Sequence, residues 1–247
     1  MITNVPTAAT SSVPSPIAFR QPAGKSYAHA HWYFLVAFLA IVAGFWPTFY
    51  RPMGSGTTLK NVHGITASLW YFVLMAQSWL MARGLVRWHR RVAMSAIVLL
   101  PVLSITALGN TSAMLTASII PPEGRPIIAF IDFQLIAQLW ALVALGLLNR
   151  RTPAAHKRFM AATALPGLSP ALARLFGRLG IAFFGPIQTT LLTADLILLV
   201  LIAVDWRMGE KRLAYPLLLV WNIAIQLLIM PLAATSAWLA FCRWFAS

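Results

Sequence analysis

Apolar residues dominate seven stretches of the chain between Trp32 and Phe245, and short polar connections separate these stretches. A hydrocarbon core about 30 Å thick is crossed by about 20 residues of apolar helix, and a segment that faces lipid must satisfy its own backbone hydrogen bonds. The pattern therefore predicts an all-α fold, a polytopic membrane helical bundle. The seven predicted spans are 32–50, 62–82, 92–108, 127–148, 159–175, 186–204 and 213–239.

The fifth predicted span has a short apolar core. Pro166 and Pro170 interrupt its helical pattern, because proline has no backbone N–H to donate, and Arg174 and Arg178 follow directly. Two structures fit this pattern: a kinked helix that crosses the membrane, or a re-entrant segment within residues 159–185.

Residues 1–28 are rich in Ala, Ser, Thr and Pro and lack apolar periodicity. They have too little apolar surface to bury, so the sequence predicts a disordered cytoplasmic tail followed by one transmembrane domain at 29–247. The first apolar run is as long as a full span, and no small-residue cleavage pattern follows it. A signal peptide is therefore not predicted.

Basic residues greatly outnumber acidic ones, with 19 Lys and Arg against 5 Asp and Glu and a formal net charge of +14. Most of them lie in the tail and in the connections after the second, fourth and sixth predicted spans. Short loops rich in Lys and Arg stay in the cytoplasm, so we expect a bacterial inner-membrane protein with a cytoplasmic N-terminus and a periplasmic C-terminus. The charge favours anionic lipid over nucleic acid as a partner, because the chain lacks the polar surface of a soluble basic domain.

Part of the sequence is repeated. Residues 69–94 contain Leu-Trp, an apolar run, a basic loop and His89-Arg-Arg, and residues 139–161 repeat this order up to His156-Lys-Arg. A weaker third copy without histidine lies at 205–214. The pattern predicts parallel hairpin repeats formed by spans two and three, four and five, and six and seven. His89 and His156 would then lie at matching depth.

Two imidazoles at one depth are the arrangement that a b-type haem needs, because the iron takes an axial nitrogen on each face. The sequence therefore nominates His89 and His156 as metal ligands for haem b, held between the third and fifth spans. The basic residues beside them that could pair with the propionates are Arg90, Arg91, Lys157 and Arg158. Two alternatives stay open: anchoring to phospholipid headgroups, or a non-haem metal site that also uses His29 or His31.

Charged side chains inside a span are costly and usually face a partner or a cavity. Asp132 enters the fourth span from the same side as Arg174 and Arg178 of the fifth, so the sequence predicts an ion pair between Asp132 and one of these arginines. Asp195 lies near the middle of the sixth span without an obvious cation at its depth.

Amide side chains are the candidate partners inside the membrane. Asn222 and Gln226 share one face of the seventh span at the depth of Asp195. Asp195 is then either protonated and hydrogen-bonded or part of a proton or ion path. Gln77 and Gln138 are expected to form hydrogen bonds between helices.

Residues 60–95 contain His63-Gly64, Trp70, Gln77, Leu80 and His89-Arg90. This pattern resembles that of uncharacterised bacterial multi-helix inner-membrane families, domains of unknown function in which a His…Gln helix ends in a basic loop followed by His-Arg. The resemblance implies an inner-membrane helical bundle without an established reaction. A more remote similarity, carried by paired histidines in short helices, links the chain to b-type cytochrome and ferric-reductase-like haem bundles.

The sequence leaves several functions open. The first is a membrane redox module that binds one haem b, and the second is a small-solute or ion transporter that uses Asp195, Asp132 and Arg174. The third is a non-catalytic subunit of a larger membrane complex, and a lipid-modifying enzyme is a further alternative. The chain contains no Gly-rich phosphate loop, no His-Glu-x-x-His and no Gly-x-Ser-x-Gly. Its single cysteine, Cys242, excludes an intrachain disulfide.

Overall fold

The computed structural model describes residues 29–117, 120–181, 185–210 and 212–247. The predicted tail at 1–28 lies outside the described residues. Within them the secondary structure is helical, and seven helical stretches are long and apolar enough to cross a membrane. The α-helices of the described residues are α1 (Ala30–Phe45), α2 (Thr58–Ala82), α3 (Val86–Ala93), α4 (Ala96–Thr116), α5 (Arg125–Leu148), α6 (Pro153–Ala162), α7 (Ala164–Leu179), α8 (Pro186–Arg207), α9 (Ala214–Ala233) and α10 (Ser236–Phe245).

Each predicted span corresponds to one of these stretches, but the start of the third and the end of the seventh differ from the prediction. The third span begins earlier than predicted, because the short helix α3 precedes α4. The seventh ends at Ala233, and the prediction that it continues to 239 is wrong. Thr235 starts a new helix there, since its hydroxyl accepts a hydrogen bond from the backbone N–H of Trp238 at 3.3 Å, which is the usual role of an N-cap threonine.

The fifth span consists of two helices. Together α6 and α7 form an apolar stretch of 27 residues, which favours the kinked alternative over the re-entrant one. The break lies at Thr163, where Pro166 cannot donate a backbone hydrogen bond to the carbonyl of Ala162 four residues earlier. This stretch is also the most enclosed of the seven among the described residues.

The core of the bundle surrounds α7. Apolar side chains from α2, α4, α5, α7 and α8 pack together there. The fully buried Ala171 of α7 meets Gly44 of α1 so closely that an added Cβ at Gly44 would lie 2.8 Å from the Ala171 carbonyl carbon. The Tyr71 hydroxyl of α2 donates to the backbone carbonyl of Ala164 at the start of α7. Small residues therefore set the distance at which α1 and α7 pack.

Arg178 stabilises the irregular end of α1. A π-helical turn, Trp46–Tyr50, follows α1 and contains Pro47. Because Pro47 has no backbone N–H, the carbonyl of Ala43 loses its ordinary helical donor. The Arg178 guanidinium replaces it: Nη2 donates to Ala43 O, and Nη1 donates to Gly44 O at 2.7 Å.

The outer surface of the bundle is apolar. Large side chains on several helices are mostly exposed, among them Ile105, Leu148 and Leu227 at 67%, 78% and 73%. Apolar exposure of this extent in helices of spanning length indicates contact with lipid rather than water. The protein is therefore a multi-pass membrane protein whose helices contact the bilayer.

Candidate functional site

Three connections rich in Lys and Arg gather at one end of the bundle. Two contacts between distant parts of the chain demonstrate this: the rings of His89 and His156 are neighbours, and Arg158 forms an ion pair with Asp205. We call this end the basic end; it comprises residues 83–93, 149–158 and 205–210, together with residues 29–31, because His31 and Trp79 line one surface groove. The other end of each span lies at the opposite end of the bundle.

His89 and His156 lie at matching positions in two similar segments. Each is carried by a short helix, α3 or α6, that follows a turn after a long helix and precedes another long helix. Their ring centroids are 6.3 Å apart, and the ring planes cross at 81°. The expectation that these two residues lie at one depth agrees with this contact, whereas the hairpin repeat from which it was drawn stays a prediction.

The ring of His156 is held by the backbone of α5. Its Nδ1 lies 2.7 Å from the carbonyl oxygen of Gly146. Gly146 also packs closely against α6, since an added Cβ there would lie 2.7 Å from the Met160 sulfur. When Nδ1 carries the proton and donates to a carbonyl, the Nε2 lone pair is left for a ligand or a second donor.

Four buried side-chain atoms of the described residues have no hydrogen-bond partner: His31 Nδ1, Trp70 Nε1, Gln77 Oε1 and His89 Nδ1. His31 and His89 belong to the basic end, and Gln77 lies just over one turn before the end of α2 there. The backbone of Gln77 is also a hydrogen-bonding neighbour of the His89 ring. Most buried polar groups in proteins are paired, so these unpaired atoms are unusual. The expected interhelical hydrogen bond of Gln77 is absent at its oxygen.

Arg158 is fully buried and bound to Asp205. Its Nε and Nη2 atoms meet the two carboxylate oxygens at 2.5 Å and 2.7 Å, and Nη1 donates to the carbonyl of Ala154 at 2.6 Å. The carboxylate of Glu210 lies further away, at 3.8 Å. This geometry is the two-pronged pairing that a guanidinium forms best. The sequence analysis did not predict this pair. The available signal was that Asp205 is one of only five acidic residues and lies, like Arg158, at the basic end.

Two of the other predicted propionate partners, Arg90 and Arg91, lie on the surface of α3, and Lys157 lies on α6. Arg90 and Arg91 are exposed, and the Arg91 guanidinium lies 4.9 Å from the centre of the Trp88 ring. Basic and aromatic side chains together at the end of a span are typical of the membrane interface. Both arginines are therefore available to an anionic group near the histidine pair, and Arg158 is engaged by Asp205.

A network of polar side chains joins three helices at the middle of the bundle. Gln226 Nε2 donates to one oxygen of Asp195 at 2.6 Å, and Asn222 Nδ2 donates to the other at 3.3 Å. Gln138 Nε2 of α5 donates to Asn222 Oδ1 at 2.8 Å. The expected partnership of Asp195 with Asn222 and Gln226 and the expected interhelical bond of Gln138 are thus both present. Trp221, which donates to Gln134 at 3.3 Å, adds a link that the sequence did not suggest.

The predicted ion pair of Asp132 is not formed, so this expectation is wrong. No arginine of the described residues lies within ion-pair distance of Asp132, whose carboxylate accepts a hydrogen bond from the Thr111 hydroxyl at 2.8 Å. Arg178 is bound to the end of α1, and Arg174 lies 4.6 Å from the centre of the Phe45 ring. Both arginines therefore donate to backbone carbonyls, Arg178 to those of α1 and Arg174 to Pro170 O at 3.0 Å, and the charge of Asp132 acts on Arg174 only from beyond ion-pair distance.

The non-haem metal alternative needs ligands beyond the histidine pair. His29 and His31 lie near each other, with ring centroids 6.3 Å apart. Among the residues that the structure describes, no group of three or more His, Cys, Asp or Glu side chains is placed to hold a metal ion.

Comparison with protein-family models, with curated proteins and with solved structures found no match for this chain. The resemblance of residues 60–95 to uncharacterised bacterial families stays a prediction.

Proposed function

We propose that this membrane protein is a redox module that binds one haem b through His89 and His156. The observation that carries the proposal is the contact between these two imidazoles, which come from separate parts of the chain and meet with ring centroids 6.3 Å apart. Imidazole nitrogens are common ligands of haem iron, and these two rings are close enough that one group bound at this place would contact both.

The chemistry of the donors also supports haem ligation. An axial histidine needs one neutral nitrogen for iron and usually a backbone or carboxylate partner for the other. His156 has this arrangement, because its Nδ1 lies at hydrogen-bond distance from the Gly146 carbonyl. The Nδ1 of His89 is buried without a hydrogen-bond partner of ordinary geometry, and the backbone of Gln77 is the polar group beside this ring.

The chain itself would hold, orient and neutralise the bound group. Arg90 and Arg91 would face the propionates, while Arg158 positions α6 through Asp205. When bound, haem supplies reversible one-electron chemistry. The Gln77 oxygen and His31 Nδ1, which have no hydrogen-bond partner, lie at the same end of the bundle. They are further polar atoms that a molecule bound at this end would contact.

The proposal predicts a visible spectrum for the purified protein. Protein from haem-replete cells should show sharp, dithionite-reducible bands of a six-coordinate haem. His89→Ala and His156→Ala should each lose these bands or convert them to a high-spin spectrum, because either change leaves the iron with one imidazole. His63→Ala should keep them, since His63 lies at the opposite end and contacts Thr106 at 3.3 Å.

A colourless preparation from such cells would overturn the redox proposal. It would favour headgroup anchoring for the histidine pair, in which case both alanine variants should fold with losses of about 0.5–1.5 kcal/mol, the usual contribution of one hydrogen bond. Melting temperatures of the three variants separate lost ligation from lost folding.

We also propose that the basic end faces the cytoplasm of a bacterial inner membrane, because short loops rich in Lys and Arg are retained there. Arg87→Cys and Thr152→Cys should then be shielded from an impermeant thiol reagent in intact cells, and Ser55→Cys should react. The native thiol stays silent, because Cys242 is only 5% exposed and burial raises its pKa. Labelling at 87 and 152 with protection at 55 would reverse the orientation.

A further inference from the structure

Asp195 lies deep in the membrane part of the protein. Nine residues separate it from the start of α8 and twelve from the end, which is about 14 Å and about 18 Å of helix. Asn222, its partner on α9, is also near the middle of its helix. A carboxylate at this depth is expensive to keep charged, and such residues commonly mark ion or proton pathways.

The three carboxylates within the spans have different neighbours. Asp205 is held by the guanidinium of Arg158, and Asp132 accepts from the Thr111 hydroxyl. Asp195 instead accepts from two neutral amides, and no Lys, Arg or His of the described residues lies within ion-pair distance of it. The N–H dipoles of these two amides therefore stabilise the negative charge of an ionised Asp195, but no positive side chain of the described residues neutralises it.

Amide side chains can serve both the ionised and the neutralised form of this carboxylate. An amide presents an N–H₂ donor on one side and a carbonyl acceptor on the other, and rotation of the group exchanges them. The donors of Asn222 and Gln226 suit the free carboxylate, whereas their oxygens, with that of Gln138, would suit a cation or an acid O–H beside it. An arginine at these positions would stabilise only the ionised form.

We propose that Asp195, Asn222, Gln226 and Gln138 form a binding site for one monovalent cation at the middle of the membrane. A positive charge bound there neutralises Asp195, and the three amides supply the remaining oxygen ligands or acceptors. Proton and sodium ion satisfy this chemistry equally, so the experiment distinguishes them. The site is separate from the histidine pair, and neither proposal depends on the other.

The test is modification of the wild-type protein in lipid nanodiscs by dicyclohexylcarbodiimide, which reacts with protonated carboxyl groups in apolar surroundings. Mass spectrometry measures the modified fraction of the Asp195 peptide over a pH series, in sodium chloride or choline chloride. If the cation is a proton, modification rises as the pH falls and is the same in both salts. If it is sodium, sodium chloride protects Asp195 and choline chloride does not.

The carboxylates with other neighbours are internal controls. The Asp205 peptide should stay unmodified under all conditions, because the buried guanidinium of Arg158 occupies both oxygens of that carboxylate. Asp195→Asn should lose its own modification while its melting temperature stays close to that of the wild type, since an asparagine still hydrogen-bonds to Asn222 and Gln226. The proposal is overturned if Asp195 is unmodified at every pH and salt, or if its modification responds to neither.

Discussion

An Asp205→Asn variant is expected to lose about 3–5 kcal/mol of unfolding free energy, the usual result of removing one partner of a buried ion pair. Arg158 is 0% exposed and donates hydrogen bonds to both carboxylate oxygens of Asp205. With asparagine at 205 the guanidinium keeps its full charge but loses its nearest counter-charge, and only the more distant Glu210 remains. Denaturation of the purified protein in detergent, followed by circular dichroism, measures the difference.

Two further variants test the physical reason for this loss. Glu210→Gln removes the more distant carboxylate, which lies 3.8 Å from Arg158 and is 30% exposed. It should therefore change stability by about 0–1 kcal/mol, as for ordinary surface pairs. The double variant Arg158→Met with Asp205→Leu should recover most of the loss, because it leaves no unpaired charge. Equal effects of Asp205→Asn and Glu210→Gln would contradict the pairing described here.

Gly44→Ala should be a strongly destabilising single-methyl change, costing about 3 kcal/mol as an overpacking substitution. The added Cβ would meet the backbone carbonyl of Ala171, with the carbonyl carbon at 2.8 Å. A backbone atom in the middle of α7 cannot move aside alone, so α1 and α7 must separate. That separation would also disturb the hydrogen bond from Arg178 to Gly44 O. The melting temperature in detergent reports the effect.

Gly109→Ala is the matched control for this substitution. Its added Cβ would touch only the end of the Leu59 side chain, at 3.0 Å, and a leucine terminus can rotate away. Alanine also gains about 0.5–1 kcal/mol of helix propensity over glycine. We expect Gly109→Ala to be neutral or slightly stabilising. A Gly44→Ala variant as stable as Gly109→Ala would mean that α1 and α7 do not pack as closely as described.

The sequence predicted some of the contacts as well as the spans. Asn222 and Gln226 could be assigned to Asp195 because residues four apart share a helix face and because depth can be counted from the ends of each span. His89 and His156 could be paired through the similar segments that contain them. Both assignments depend only on spacing along a helix and on the order of the spans.

Other contacts could not be predicted in this way. Arg178 and Asp132 have compatible depth, yet Arg178 contacts the irregular end of α1, and Asp132 contacts Thr111. The depth of a residue can be estimated by counting along its span. The rotation of each helix about its axis cannot, because it is set by packing against the neighbouring helices. The distortion at Pro47 that gives Arg178 its acceptors also lies in a different helix from Arg178.

The amino-acid sequence by itself determined the seven apolar spans and the clustering of positive charge in alternate connections. It could do so because the bilayer acts on each segment separately, through its length, its apolar composition and its need to satisfy its own backbone. Only the tertiary structure decided which polar groups meet: Arg158 with Asp205, Arg178 with the end of α1, and His156 with the carbonyl of Gly146. These choices depend on helix rotation and on close approaches at small residues, which arise only when all the helices pack together.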